Sequence, residues 1–161
     1  MTNLDENKKD QKELLQLVSF KIGDEEFGVD ILSVQEINKM SQITKVPNTP
    51  VFIEGVINLR GRIIPVIDLR VKLGMIRKDH SKNTRIVVVE LKDQTIGFIV
   101  DEVCEVLRIP KEITEAAPEM VGGVNSEYIT STGKLEDRLL ILLALNKILS
   151  TEEFKQIENA A

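Results

Sequence analysis

Residues 56–69 read VINLRGRIIPVIDL, in which two apolar segments flank the polar sequence Arg60-Gly61-Arg62. Segments rich in Val and Ile that meet at a short glycine-containing turn are typical of a β-hairpin. Pro65 interrupts the second segment. Because proline has no backbone N–H to donate, we predict that it lies on an edge strand or at a bulge. The hairpin favours a fold built mainly from strands.

The sequence on either side of this hairpin repeats the same kind of pattern. Apolar residues alternate with polar ones in short segments that are joined by polar turns, which is the periodicity of half-buried strands. Further single strands are expected at Val34–Ile37 and Val103–Ile109. The three other predicted hairpins pair residues 18–22 with 27–31, 85–91 with 95–100, and 129–135 with 138–145.

Two short segments carry helix signals. Asn48-Thr49-Pro50 combines a capping residue with a proline at the first helical position, so we predict a helical turn over 51–54 that stops at Gly55. Near the C-terminus, Ser150 and Glu153 have the spacing of a capping box, in which each side chain bonds the backbone N–H of the other residue. We therefore expect a C-terminal helix over residues 150–161 that packs on the body.

The two halves of the chain show a weak internal repeat. A hairpin containing Phe27-Gly28-Val29-Asp30 is followed by the strand Val34–Ile37, and a hairpin containing 96–101 is followed by the strand Val103–Val106. Each half then ends in a glycine-containing hairpin with a long apolar strand. Two lobes of this size bury little core alone and gain by packing together, and short strands with regular turns favour barrels.

Composition excludes several classes of protein. The 161 residues carry a formal net charge of −5, which argues against a nucleic-acid-binding protein because such proteins usually present a basic face. No apolar segment approaches the roughly 18 residues that a membrane-spanning helix needs. The polar N-terminus has no signal-peptide pattern, so residues 1–13 are expected to be a flexible tail. A single cysteine favours a reducing compartment.

Chemistry-bearing residues are sparse. His80, the only histidine, lies in a polar stretch typical of a solvated loop, and Cys104 lies in an apolar pattern typical of a core or interface position. No glycine-rich phosphate-binding motif occurs. A zinc site usually needs four Cys, His or carboxylate ligands, and the sequence has one histidine and one cysteine. We predict no catalytic residue, no cofactor and no metal. A small β-barrel enzyme using His80 or Asp68 is the competing class.

Several motifs occur together along the chain. They are residues 23–31, 34–37 and 48–50, Asn58-Leu59-Arg60-Gly61 with Pro65-Val66 and Asp68-Leu69, and the later segments 100–106 and 138–142. Together they resemble the CheW-like domain family, the chemotaxis coupling proteins, over about residues 15–149. The same module occurs in CheV and in the regulatory domain of the kinase CheA, but their additional domains would not fit in 161 residues, so a stand-alone coupling protein is expected.

The resemblance implies a mainly β fold with two packed SH3-like five-stranded β-barrels, short helices and a C-terminal helix. The CheW-like domain would span residues 14–149, with the lobe junction near 70–84 and strand exchange between the lobes. It implies a cytoplasmic adaptor without catalytic activity that is recruited to membrane receptor arrays. Its partners would be the CheA regulatory domain and the cytoplasmic tip of methyl-accepting chemotaxis receptors, with no nucleic acid and no direct membrane insertion. An interaction module of another two-component pathway is the alternative.

Arg60 is the first candidate for partner binding. Its guanidinium presents five donors in a rigid fork that suits a partner's carboxylates or helix-end carbonyls. The residues alone favour an internal ion pair with Glu36 or Asp68, while the family's N-L-R-G arginine adds partner binding as an equal alternative. Val34 and Val106, at comparable places in the two halves, would face a groove or the core. The candidate partner-binding residues are Val34, Glu36, Gly55, Asn58, Leu59, Arg60, Gly61, Val103 and Val106.

Overall fold

Apart from one small two-stranded hairpin, the strands form two packed β-sheets, described over residues 13–121 and 123–160 of a computed structural model. The predicted fold class is confirmed: the protein is mainly β, with short helices and a C-terminal helix. Of the tail predicted over residues 1–13, all but Glu13 lies outside the described residues. The division into tail, body and C-terminal helix stays a prediction.

One sheet has five strands that follow one another along the chain. They are β3 (Val34–Lys39), β4 (Ile53–Leu59), β5 (Arg62–Asp68), β6 (Arg85–Leu91) and β7 (Gln94–Val100). Their order across the sheet is β3-β6-β7-β5-β4, and the β5–β7 pair is parallel.

The other sheet has six strands and combines both ends of the described chain. They are β1 (Leu14–Ile22), β2 (Glu25–Asp30), β8 (Glu102–Pro110), β9 (Thr114–Glu115), β12 (Ile129–Lys134) and β13 (Leu139–Leu143). Their order is β8-β1-β2-β13-β12-β9, with a parallel β2–β13 pair. The N-terminal β1–β2 hairpin therefore completes a sheet whose other strands all come from the second half of the chain.

Short elements fill the connections between the strands. A small hairpin joins β10 (Met120–Val121) to β11 (Val124–Asn125). The helices are α1 (Leu69–Lys72), α2 (Leu145–Ile148) and α3 (Thr151–Ala160), and 3-10 turns cover Ile31–Ser33, Lys111–Ile113 and Ser126–Tyr128.

Each sheet curls until its edges meet along a line that we call its seam. In the five-stranded sheet, the chain leaving β3 returns at Thr44 and bridges Val56 of β4 through N–H···O bonds of 2.9 and 2.8 Å. In the six-stranded sheet, the chain leaving β8 continues into β9, which pairs with β12 at two residues. Closure by the chain itself leaves few free strand edges.

The largest apolar cluster lies between the sheets and is shared by them. Phe20 and Phe27 of the six-stranded sheet stack with ring centroids 5.9 Å apart, and Phe98 of the five-stranded sheet is buried in the same cluster. Burying one such side chain contributes about 1.5–3 kcal/mol. The common core therefore holds the two lobes together as one body.

Two local predictions around the first hairpin are wrong. Residues 51–52 form a turn and β4 begins at Ile53, so no helix covers 51–54, and Gly55 lies inside β4. Pro65 lies in β5, an interior strand rather than an edge, and the bulge of the β4–β5 ladder lies beside it, between Ile53 and Gly55, rather than at Pro65 itself. It is tolerated there because the ladder to β7 begins one residue later, at Val66.

The capping box at the start of α3 is confirmed. The hydroxyl of Ser150 accepts a hydrogen bond of 3.1 Å from the N–H of Glu153, and the carboxylate of Glu153 accepts one of 2.8 Å from the N–H of Ser150. The same carboxylate lies 3.0 Å from the ammonium of Lys72, which is itself held over the rings of Phe52 and Tyr128. These contacts fasten α3 to the body.

The Glu153 contacts predict a pH dependence of stability. Burial raises the pKa of Glu153, but the Ser150 backbone N–H and the Lys72 ammonium lower it more, so the net pKa lies below the ordinary value of a glutamate. The stabilisation by Glu153 is therefore full above the unfolded-state pKa and is lost as the pH falls through the lower folded-state pKa. We expect Glu153→Gln to cost below about 1 kcal/mol at pH 7.

Urea unfolding of the wild type and Glu153→Gln between pH 7 and pH 3 tests this expectation. The difference in unfolding free energy should shrink as the medium becomes acidic. A difference that is independent of pH, or that grows toward pH 3, would contradict the assigned role. Glu152→Gln, on the same turn of α3 but exposed, is the control and should show little effect.

Candidate partner-binding surfaces

Arg60 and Gly61 form the two-residue turn at the tip of the β4–β5 hairpin. Their φ angles are +53° and +83°, and Leu59 pairs with Arg62 on either side of them. Two left-handed residues give the turn a twist that matches the strands. The side-chain oxygen of Asn58 accepts a hydrogen bond of 2.8 Å from the N–H of Gly61. Asn58 and Gly61 therefore shape the tip that presents Arg60 to solvent.

The guanidinium of Arg60 pairs with Glu36 on β3. Its Nη2 atom lies 2.6 Å from Oε2 of Glu36, and the side chains are 76% and 21% exposed. Of the two internal ion pairs considered for Arg60, this is the one that forms, and it crosses the seam of the five-stranded sheet. The Glu36 carboxylate accepts a hydrogen bond from Nη2 of the guanidinium. A guanidinium has five N–H groups, so further N–H groups of Arg60 can donate to acceptors on a partner.

Asp68, the other carboxylate considered for Arg60, has a different position. It lies at the end of β5, where its side chain accepts a hydrogen bond of 3.1 Å from the N–H of Arg70 at the start of α1. Burial raises the pKa of Asp68, despite the backbone bonds and the charge of Arg77. Asp68 is a buried helix-capping residue, and it does not contribute to the surface around Arg60.

Gly55 and Leu59, both on the edge strand β4, are covered by the rest of the five-stranded barrel. Gly55 is buried with a φ of +152°, and a Cβ atom there would lie 2.9 Å from the carbonyl carbon of Thr44 and closer still to its oxygen. Leu59 is half-buried and packs on the inner cluster of this barrel. The structure thus places both behind the hairpin tip, where they support its position.

Val34 and Val103 both pack at the border of the shared core. Each is half-buried against the cluster between the sheets, whereas Val106 is 56% exposed. Val34 pairs with Val89, and Val103 pairs with Phe20. In each strand, β3 and β8, a bulge follows directly after this valine. The expectation that Val34 and Val106 hold comparable places is therefore wrong.

The residue that corresponds to Val106 is Ile37. Both follow the bulge in their strand, both lie three residues after the core-bordering valine, and both are exposed. Ile37 was missed in the sequence, although its spacing from Val34 repeats that of Val106 from Val103. Leu32, in the 3-10 turn before β3, is a further exposed apolar residue at 90%.

A second arginine cluster lies on the six-stranded sheet. Arg138, at the turn between β12 and β13, lies 2.7 Å from Glu26, 3.0 Å from Glu105 and 2.9 Å from Asp137. Glu26 is 7% exposed, so its carboxylate needs this cation. Glu26 and Arg138 are 112 residues apart, and no local pattern links them in the sequence.

The residues considered for catalysis are not assembled into a site. His80 lies on an exposed loop between α1 and β6. Cys104 is exposed on β8, so of the core and interface positions that the apolar pattern favoured, the core position is wrong and the interface position stays a prediction. Partial burial of the sulfur, with the charges of Glu26 and Glu102, raises the pKa of its thiol. Over 13–121 and 123–160, no three metal-ligating side chains converge.

Helices in the described part of the chain are short. None of them combines the length and apolar character that crossing a lipid bilayer requires.

Comparison with known proteins matches this architecture to one family. The model of the CheW-like domain family matches residues 16–153. The chemotaxis protein CheW of Klebsiella aerogenes is 42% identical over 146 residues, covering 91% of this chain and 88% of the relative. The chemotaxis protein CheW of Helicobacter pylori is 39% identical over 144 residues, covering 89% and 87%.

A solved structure shows the same fold. The scaffolding protein TtCheW from Thermoanaerobacter tengcongensis superposes with a TM-score of 0.80 at 38% sequence identity, covering 89% of this chain and 93% of that one. Two packed sheets, an N-L-R-G hairpin tip and a family match over most of the length agree with one another. The chain belongs to the CheW-like domain family of chemotaxis coupling adaptors.

Proposed function

We propose that this protein couples methyl-accepting chemotaxis receptors to the histidine kinase CheA without catalysing a reaction. It acts in the cytoplasm and is recruited to receptor arrays by binding the receptor tip and the regulatory domain of the kinase. The observation that carries the proposal is the exposed Arg60, presented at the tip of a hairpin shaped by Asn58 and Gly61 and paired with the partly buried Glu36 of β3.

The kinase side of the proposal rests on the chemistry of Arg60. A non-glycine residue with positive φ is uncommon, and an arginine at such a position is held away from the sheet with most of its fork in solvent. A carboxylate of the kinase regulatory domain could be bound in a bidentate geometry that a lysine does not offer. Glu36 keeps the guanidinium oriented until the partner arrives.

The receptor side rests on apolar residues at the border of the shared core. Val34 and Val103 are half-buried there, and Leu32, Ile37 and Val106 are exposed. An amphipathic helix binds such residues through apolar anchors at spacings of three, four and seven. The receptor tip, as a helical hairpin, has the matching form.

In this proposal the adaptor couples receptor and kinase by binding both at the same time. An adaptor that binds both partners raises their concentration near one another. It transmits a signal when its contacts differ between active and inactive assemblies, and a coupling free energy of about 1–3 kcal/mol changes affinity by about 5- to 150-fold. A structure built from two lobes with a common core offers one surface to each partner.

Arg60→Asn tests the kinase contact. Asparagine adopts left-handed backbone angles readily, so the hairpin should fold as before, with an unfolding midpoint within about 2 °C of the wild type because exposed substitutions rarely exceed about 0.5 kcal/mol. The dissociation constant for a CheA regulatory domain should rise about tenfold or more, since charge-assisted bonds contribute about 1.5–3 kcal/mol.

Calorimetric titration and thermal unfolding measure the two quantities on the same samples. Arg62→Asn, which removes a neighbouring exposed guanidinium that bonds Thr95, is the matched control and should bind nearly as the wild type does. Unchanged binding with lowered stability would assign Arg60 to a purely structural pair with Glu36. No binding of the wild type at tens of micromolar would favour a module of another signalling pathway.

A further inference from the structure

The described strands cross from one sheet to the other at two places, and each crossover begins at an aspartate. After Asp30 a 3-10 turn leads from β2 into β3, and Asp101 is the single residue between β7 and β8. Asp30 accepts a hydrogen bond of 2.9 Å from the N–H of Leu32, so its carboxylate bonds within its own turn. The carboxylate of Asp101 instead contacts segments that are distant in the sequence.

Backbone hydrogen bonds hold Asp101 on the side of the six-stranded sheet. Its N–H donates to the carbonyl oxygen of Lys21 over 3.0 Å, next to the place where Lys21 pairs with Glu102 in the β1–β8 ladder. Its Oδ2 atom accepts a hydrogen bond of 2.7 Å from the N–H of Gly23, in the turn between β1 and β2. Asp101 is therefore fixed to the β1–β2 hairpin.

Arg70 approaches the same oxygen from the five-stranded sheet. It belongs to α1, which follows β5 and packs against β5 and β7. Its Nη2 atom donates to Oδ2 of Asp101, and its side chain is 14% exposed. Its Nε atom is buried without a hydrogen-bond partner, and Asp101 is its only ion-pair partner, over 13–121 and 123–160. A guanidinium that is mostly buried depends on this one anion.

We infer that Arg70 and Asp101 are positioning residues, whose ion pair fixes the orientation of one barrel relative to the other. The burial of apolar side chains in the shared core holds the barrels together, but it is non-directional. A charge-assisted hydrogen bond has a preferred geometry and therefore restrains an angle as well as a distance. The other ion pair of α1, from Lys72 to Glu153, ends on α3 and not at a crossover.

The orientation of the barrels matters for one of the two proposed surfaces, and this step rests on the proposed function. The receptor surface takes its apolar residues from β3 of one barrel and from β8 of the other. Asp101 directly precedes β8, so the pair sets the relation between these two strands. The tip that carries Arg60 lies within one barrel and does not depend on that relation.

Asp101→Asn tests the orientation in the free protein. The amide oxygen of asparagine can still accept the bond from Gly23, but the charge that compensates Arg70 is lost, so the guanidinium should move toward water and displace α1. Residual dipolar couplings of backbone N–H groups should fit one alignment tensor for both barrels in the wild type and two different tensors in the variant. One shared tensor with the wild-type orientation in the variant would overturn the inference. Asp137→Asn, which weakens an arginine pair within one sheet, is the control and should keep one tensor.

Arg70→Gln removes the other half of the pair and serves if Asp101→Asn does not fold. It should change the tensors in the same direction, and the double variant should show no larger change than either single variant, because both act through one contact. Additive changes in the double variant would show that the two residues act independently, which would contradict the inference.

Calorimetric titration of the Asp101→Asn variant separates positioning from general destabilisation. The dissociation constant for a soluble receptor-tip fragment should rise about two- to thirtyfold, the range for residues that modulate a site without touching the ligand. The dissociation constant for a CheA regulatory domain should change by less than about twofold. Unchanged receptor binding, or equal weakening toward both partners, would overturn the positioning role. No binding of the wild type to either partner would overturn the proposed function and leave the difference in alignment tensors in place.

Discussion

Gly55→Ala is expected to lower the free energy of unfolding by about 2–5 kcal/mol, from backbone strain and steric overlap together. Gly55 has a φ of +152°, a region that residues with a Cβ rarely occupy. The added methyl group would also overlap the carbonyl of Thr44 and approach the side chain of Ile43 to 2.7 Å. Because the main obstacle is backbone, relief requires the Thr44–Val56 bridge to break.

Gly61→Ala is the matched control for this substitution. Gly61 also has a positive φ, of +83°, but a Cβ there would meet nothing within 4 Å. Its cost should be limited to the left-handed backbone, about 1–2 kcal/mol. Denaturant unfolding of both variants separates overlap from strain, and equal midpoints would show that the closeness of Thr44 has no energetic consequence.

Arg138→Met is expected to lower the free energy of unfolding clearly more than Arg60→Met does, because it leaves the buried carboxylate of Glu26 without its cation. One oxygen of that carboxylate is 2.7 Å from the arginine, and the other is buried without a hydrogen-bond partner in the described part of the chain. Methionine keeps much of the apolar stem of arginine, so the loss reports mainly on charge. Arg60→Met, at the exposed pair, should cost below about 1 kcal/mol.

A double-mutant cycle with Glu26→Gln checks the origin of the loss. Replacing the carboxylate by a neutral amide removes the buried charge, so Arg138→Met should cost much less in the Glu26→Gln background than alone. Chemical denaturation of the four proteins gives the coupling free energy. Additive losses would show that Arg138 stabilises the sheet by packing and that its charge is unimportant there.

Strands were predictable because their signals are local. Alternating apolar residues and polar turns mark the hairpins, and the repeat of these hairpins along the chain indicates two similar lobes. Gly55 shows where local signals fail. The residues before it carry helix-start chemistry, but its actual constraint is the approach of Thr44 from across a seam. The prediction for Pro65 was wrong for the same reason. Whether an interior strand accepts a proline depends on where the ladder to the next strand begins, and that is not a local property of the sequence.

The candidate site was predictable in part. The sequence left Glu36 and Asp68 open as partners of the hairpin arginine, and the fold selects Glu36, 24 residues away, because β3 lies across the seam from that hairpin. The binding roles of the candidate residues stay predictions. The equivalence of Val34 with Val106 failed because the sequences VQEI and VCEV align Val34 with Val103 and Ile37 with Val106, and the ladders, with a bulge after the first valine in each strand, follow that alignment. The Arg138 cluster joins distant segments and becomes visible only in three dimensions.

The position of the β1–β2 hairpin in the six-stranded sheet has a consequence for biosynthesis. During translation this hairpin emerges before the strands that flank it, because β8 and β13 both begin after residue 100. The five-stranded sheet can be completed once β7 has left the ribosome. The β1–β2 hairpin, in contrast, lacks its neighbouring strands until β8 and then β13 have been synthesised, so its strand edges stay unpaired until then. During this interval the uncovered apolar side chains of the hairpin are exposed to non-native association.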